Sequence, residues 1–261
     1  MKKRITLLVV ASVLVTLAGM GLVSHFAVRQ SIEASLQGRL ALAQVIGGNI
    51  DYALRKDIAM LEGIAASDFI GPSVQTQGVQ AQGPQAQGVQ AQGPQAKNGL
   101  AMLEGIHRLS IFSGGVMVAG LDGRMVAEYP PGASKGVDLA AIPGAESAFQ
   151  GEGSFISNLH SVGGDGDKSV FAIVPLLGKD GAPVGVAAGR MDPALGLFAG
   201  ALKPSPGPAG ARIEIIEKSG VIIYSSQSER VLAHGDHNRY IATLIATGKP
   251  AVERCHNCHA H

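Results

Sequence analysis

The chain has 261 residues, 46% of them hydrophobic and 16% charged, with no tryptophan and a formal charge of +1. Without Lys2, Lys3 and Arg4 the balance is 18 basic against 20 acidic residues with no basic stripe, which excludes the electrostatic footprint of a nucleic-acid-binding protein. The composition is that of a globular protein rich in glycine and poor in aromatics, long enough for two small domains.

The uncharged run from Ile5 to Val23, ITLLVVASVLVTLAGMGLV, is about 19 residues long, and at ~1.5 Å per residue it crosses a hydrocarbon core about 30 Å thick. It reads as a transmembrane helix. A cleaved signal peptide is the competing reading, but the apolar core of such peptides is usually about 7–15 residues, and no compelling small-x-small site closes this one. Lys2, Lys3 and Arg4 precede the run and only Arg29 follows closely. The positive-inside bias therefore predicts residues 1–4 in the cytoplasm and the bulk of the chain outside, as a single-pass protein of a bacterial plasma membrane with a periplasmic body.

From Ala27 to Ala66 there is no proline, and Ile32, Leu36, Leu40, Ala43, Ile50, Leu54, Ile58, Leu61 and Ala65 recur with helical spacing. This predicts one long amphipathic helix, with a possible break at Gly47-Gly48, whose apolar stripe packs on its own domain or forms a homodimer seam. Residues 74–98 are a pentapeptide array, VQTQG VQAQG PQAQG VQAQG PQAKN, with almost no charge and no bulky apolar group to bury; a disordered insert over 72–99 is expected. The hexapeptide AMLEGI flanks it twice, at Ala59–Ile64 and Ala101–Ile106, as a duplication would leave it.

Beyond the array the period becomes strand-like. Ser110–Gly120 and Arg124–Tyr129 are joined by LDGR, a hairpin signal, and a short helical segment follows over Leu139–Phe149. Three more strands are predicted at Ser154–Ser161, Ser169–Leu177 and Val184–Met191, separated by VGGDGDK and GKDGAP. Two strands, a helical excursion and a three-stranded meander behind a long helix give an α+β, PAS-like antiparallel sheet domain over residues 27–203. PSPGPAG at 204–210 is a linker by composition. Ala211–Lys218 and Val221–Ser225 repeat the opening hairpin and a helix is predicted over Asn238–Thr247, so residues 211–261 are expected to be a second PAS-like lobe, incomplete in its sheet, in a fragment or in a chain that a partner completes.

The order of the long helix, GGVMVAGLDGRMV, GEGSFISNLHSV, SVFAIVPLLGKDGAPVGVAAGRMD and IEIIEKSGVIIYSS resembles the double Cache sensor domain, which sits outside the membrane on bacterial sensor histidine kinases, chemoreceptors and diguanylate cyclases. The resemblance covers roughly residues 27–250 and rests on order and strand texture. It implies that residues 27–203 are the membrane-distal lobe and that a small ligand lies between its concave sheet face and the covering loops. The matching positions are Tyr129, Phe155, Ser157, Phe171, Arg190 and Asp192. Arg190 and Asp192 suit a carboxylate or a zwitterion through charge-assisted hydrogen bonds; in the plainer reading Phe155 and Phe171 are core, and Arg190 and Asp192 are a solvated strand end with a helix cap.

The sharpest motif is Cys255-His256-Asn257-Cys258-His259, the C-x-x-C-H of c-type haem attachment: Cys255 and Cys258 would form thioethers to the vinyl groups, and His259 would ligate the iron. His234 or His237, in HGDH, is the candidate distal ligand. Two readings compete, a local disulfide and a Zn²⁺ site of Cys255, Cys258, His259 and His261. His25, His107 and His160 carry no motif.

No nucleophile elbow, phosphate-binding glycine loop, H-E-x-x-H or kinase signature occurs. The expectation is a membrane-anchored, non-enzymatic sensory input module that takes a small ligand and a haem c and needs a cytoplasmic output domain or partner it does not carry. The alternative is a periplasmic electron-transfer c-type cytochrome on a Cache-like scaffold, against which a single haem motif argues.

Overall fold

The computed structural model describes residues 2–65, 94–163, 167–193, 212–235 and 238–249. The linker at 204–210 and most of the repeat array lie outside them. The chain divides into two compact units, one containing the first helix as far as Gly48 and the other running from Asn49 to Ile245.

Helix α1 spans Lys2–Ala65 without interruption. The expected break at Gly47-Gly48 does not occur: no proline precedes Pro72, both glycines are solvent-exposed, and the helix hydrogen-bond ladder continues through them at the usual propensity cost of about 1 kcal/mol each. In the first unit, Val13, Leu14, Val15, Leu17, Met20, Leu22, Val23 and Phe26 are all more than half exposed, and the helix is long and apolar enough to cross a membrane.

In the second unit, α1 ends by burying Asp57, Leu61 and Ile64, spaced i, i+4 and i+7 on one face. Helix α2 runs over Pro94–Leu109 and buries Leu103 and Ile106. The two AMLEGI copies therefore do the same work, each turning its leucine and isoleucine inward; each such side chain contributes roughly 1.5–3 kcal/mol of apolar burial. This corrects the expected extent of the insert, because residues 94–99 are the first turns of a helix. Pro94 fits a first turn, where no intrahelical N–H is required, and Gln, Ala, Lys, Leu and Met favour helix.

The sheet follows: β1 Gly115–Gly120, β2 Met125–Tyr129, β3 Phe155–Ile156, β4 His160–Val162, β5 Asp167–Leu177 and β6 Pro183–Met191. It is antiparallel throughout, in the order β2-β1-β6-β5-β3, with β4 also on β5. Counting β3 and β4 as one interrupted edge strand, this is the PAS-like order 2-1-5-4-3. The helical segment foreseen over 139–149 is split into a 3-10 turn at Leu139–Ala141 and α3 at Glu146–Phe149 by Pro143 and by Gly144, whose φ is +90°.

The central strands are covered on both faces: all of β1 and most of β5 and β6 are buried, whereas β2 is half-buried along its length. Gly189 in β6 allows this on the α2 side, since a β-carbon there would collide with the ring of Phe112, which is fully buried.

After the sheet, β7 Glu214–Ile216 and β8 Ile222–Ser225 form a hairpin closed by Gly220 at φ +89°, followed by a 3-10 turn at Ser228–Arg230 and by α4 at Asn238–Thr247. Glu214 anchors the hairpin, accepting from Arg212 Nε at 2.9 Å and Arg230 Nε at 2.7 Å.

Gly189→Ala is expected to overpack the Phe112 site and destabilise the protein by about 1–3 kcal/mol, measured as a lower denaturant midpoint at unchanged slope.

Candidate functional site

The register of β1 assigns its residues to two faces. Val116 pairs with Gly189 and Val118 with Ala187, and this face receives Phe112 and α2. Met117 pairs with Ala188, Ala119 with Val186 and Gly115 with Arg190. This second face is covered by the segment between β2 and β3, whose Leu139, Ile142, Ala145 and Ala148 join Met117 and Phe171 in one core.

Arg190 lies on the second face, paired across the ladder with Phe171. Its Nε donates to Ser169 Oγ at 2.9 Å and its Nη1 to the Ala133 carbonyl at 3.4 Å. Ser169 is fully buried and Arg190 partly so. Among the described residues the guanidinium has no carboxylate within ion-pairing distance. Gly114 leaves room for it: a β-carbon there would stand 2.6 Å from Arg190 Cγ.

Glu128 sets the position of the Ala133 carbonyl. It is opposite Met117, on the same face, and its two oxygens accept from Gly132 N–H and Ser134 N–H, each at 2.7 Å. Burial works to raise the Glu128 carboxyl, but the Ser134 hydroxyl and the two backbone donors outweigh it and hold the group below the usual carboxylate range.

The six residues predicted from the sequence separate. Phe155, Phe171 and Arg190 share the covered face, Phe171 fully buried and Phe155 against Gly144. Tyr129 does not: it pairs with Val116 on the opposite face, where its ring meets His107 of α2 at 5.5 Å. The cause is a β-bulge in β2. Val118 pairs with Ala127 but Ala119 with Met125, leaving Val126 as an extra residue; had the Ala119–Met125 register run on unbroken through Val126, Tyr129 would stand opposite Gly115 beside Arg190.

Ser157 is spent on the backbone, its hydroxyl donating to Asn158 O at 2.7 Å and accepting from Phe171 N–H at 2.8 Å where β3 gives way to β4. The backbone of Asp192 is tied to Ser113, whose Oγ accepts its N–H at 3.1 Å. Sequence reasoning missed Glu128 and Ser169; the signal for Glu128 was an acid just before Pro-Pro-Gly, where a turn presents free N–H groups.

Cys255, Cys258, His259 and His237 lie outside the described residues. His234 is exposed and bridges Val221 through its backbone.

No family model and no curated protein sequence matches the chain. Solved structures do match in fold. An extracellular ligand binding receptor from Desulfohalobium retbaense superposes with a TM-score of 0.51 at 14% identity, over 80% of this chain and 34% of that one. The ligand-binding domain of the Pseudomonas fluorescens chemoreceptor CtaA, in complex with L-isoleucine, gives 0.51 at 17% identity over 81% and 77%. The sensor domain of the Vibrio cholerae histidine kinase DctB gives 0.50 at 13% over 76% and 69%. The chain spans about a third of the length of the Desulfohalobium receptor.

Because the folded Glu128 titrates below its unfolded value, its contribution is present above the ordinary carboxylate range and lost as pH falls through the lowered folded value. Glu128→Gln is expected to cost about 1–2 kcal/mol near neutrality, with the gap to wild type closing on acidification, followed by thermal unfolding across pH.

Proposed function

We propose that this chain is the extracytoplasmic ligand-binding input module of a membrane-anchored receptor, with Arg190 anchoring a carboxylate of a small ligand. The observation that carries the reading is the partly buried Arg190 guanidinium, oriented by Ser169 and the Ala133 carbonyl, with no carboxylate of its own among the described residues. A guanidinium held on one side by neutral acceptors keeps donors for an incoming anion. The Pseudomonas fluorescens domains of similar fold, with L-isoleucine and with L-leucine, hold ligands bearing a carboxylate, which supports this chemistry.

The exposed apolar stretch of α1 from Val13 to Phe26 and the cationic residues 2–4 of the sequence support a single-pass anchor with the PAS-like lobe outside the plasma membrane. Signalling then requires differential ligand affinity between two packings of the lobe and an output domain on the cytoplasmic side. The ligand-binding and sensor domains of similar fold support a non-enzymatic reading of the chain.

The C-x-x-C-H sequence supports a covalent haem c on Cys255 and Cys258 with His259 on the iron and His234 or His237 opposite, adding a redox or gas input. Electron transfer through that haem is the second reading, favoured by the same motif.

In a thermal-shift assay, L-isoleucine, L-leucine or succinate at about 100-fold its dissociation constant should stabilise the full chain by about 2.7 kcal/mol, and Arg190→Met should remove the shift, with unliganded stability lower by about 1–3 kcal/mol for the buried Ser169 hydroxyl it strands. A shift retained in the variant, or none with any carboxylate tested, rejects the anchor. For the haem, a denaturing-gel haem stain and a pyridine haemochrome spectrum on protein made with cytochrome c maturation machinery should be positive in wild type and negative in Cys255→Ala/Cys258→Ala. A negative wild type leaves a disulfide or zinc clip.

A further inference from the structure

Asp57 is the one charged side chain among the described residues that is almost wholly buried, at 1% exposure. It sits on α1, one turn before Leu61, and reaches across to the turn between α2 and β1: its Oδ2 accepts Ile111 N–H at 2.8 Å. Its Oδ1 is buried with no hydrogen-bond partner. The adjacent Lys56 stays 3.7 Å from Oδ1 and gives its own hydrogen bond to the Leu109 carbonyl at 3.2 Å. Two consecutive side chains of α1 thus hold the last carbonyl of α2 and the N–H two residues beyond it, which together position the start of β1.

An ionised carboxylate with one oxygen deprived of both water and a donor is strongly disfavoured, and the neutral acid is disfavoured far less. We propose that Asp57 is a protonation-sensitive latch: the folded junction favours the neutral acid over the carboxylate, and ionisation of Asp57 loosens the Leu109–Phe112 turn from α1. The proposal stands apart from the carboxylate reading of Arg190, since it uses neither that residue nor the face on which it lies.

Burial is the dominant influence on Asp57 and pushes its carboxyl above the ordinary aspartate range, against the opposing pull of Ile111 N–H and of the Lys56 charge. The other titratable groups at the junction are engaged elsewhere. His107 Nδ1 must donate to the Phe112 carbonyl, at 2.9 Å, because a carbonyl only accepts, and its ring meets that of Tyr129 at a tilt. Glu104 and Arg108 of α2 close on each other at 2.6 Å.

The sign follows from linkage. With the folded value above the unfolded one, the stability Asp57 contributes is fully present below the ordinary aspartate range and is lost as pH rises through the raised folded value.

Hydrogen–deuterium exchange of the Leu109–Phe112 segment in the full chain in detergent micelles tests this, each pH point being referred to Asp57→Asn to cancel the intrinsic rate. The expected result is that the opening constant of wild type rises about tenfold per pH unit across that window relative to Asp57→Asn and is flat on either side. Lys56→Met, which removes the neighbouring cation, should move the window to higher pH. A wild-type to Asp57→Asn ratio that stays constant with pH overturns the proposal. If Asp57→Asn does not fold, wild type against Lys56→Met decides, and coincident pH profiles for those two overturn it equally.

Discussion

The extra residue Val126 in β2 determines which side chains of the edge strand face which layer. Side chains on a strand alternate with period two, so a one-residue insertion exchanges every residue beyond it between faces. Here the exchange puts Glu128 on the face covered by the loop segment and Tyr129 on the face covered by α2. Glu128 then gathers Gly132 and Ser134, that turn carries the Ala133 carbonyl over Arg190, and Ser169 holds the guanidinium from the opposite strand. The candidate site is a product of register before it is a product of residue identity.

The sheet itself was legible. Apolar alternation and turn chemistry located five of the strands to within a few residues, and α4 over Asn238–Thr247 coincides with the segment read from the sequence. Those signals are local, and so they survive in a single sequence. Three features were not legible, each for a physical reason. Helix α2 begins inside a repeat whose glutamines, glycines and alanines carry no apolar period, so only its packing against the sheet distinguishes it from the insert. The single strand expected over 154–161 breaks at Ser157, whose hydroxyl closes the backbone where the strand bends away. The bulge at Val126 leaves no compositional mark, so Tyr129 was read as a site residue and Glu128 was passed over.

Coupling between α1 and the sheet runs through backbone groups. Lys56 and Asp57 grip the turn after α2, and Phe112, at the end of that turn, lies against Gly189 near the end of β6. One residue beyond Gly189 on the same strand is Arg190, with its side chain on the other face. A short chain of packed contacts thus lies between α1 and the Arg190 strand. Such a chain is bistable more readily than it is elastic, because packed interiors deform in steps.

The outer strands bear on how the protein behaves among its own copies. A long flat edge strand invites another chain to extend the sheet. Here one edge is the short β2, followed at once by Pro130 and Pro131, which cannot donate to a ladder, and the other is broken into β3 of two residues and β4 of three. Neither edge presents a continuous row of backbone groups, so the lobe is guarded against sheet-to-sheet growth. Association between copies is left to side-chain surfaces, whose specificity selection can tune without the hazard of open-ended stacking.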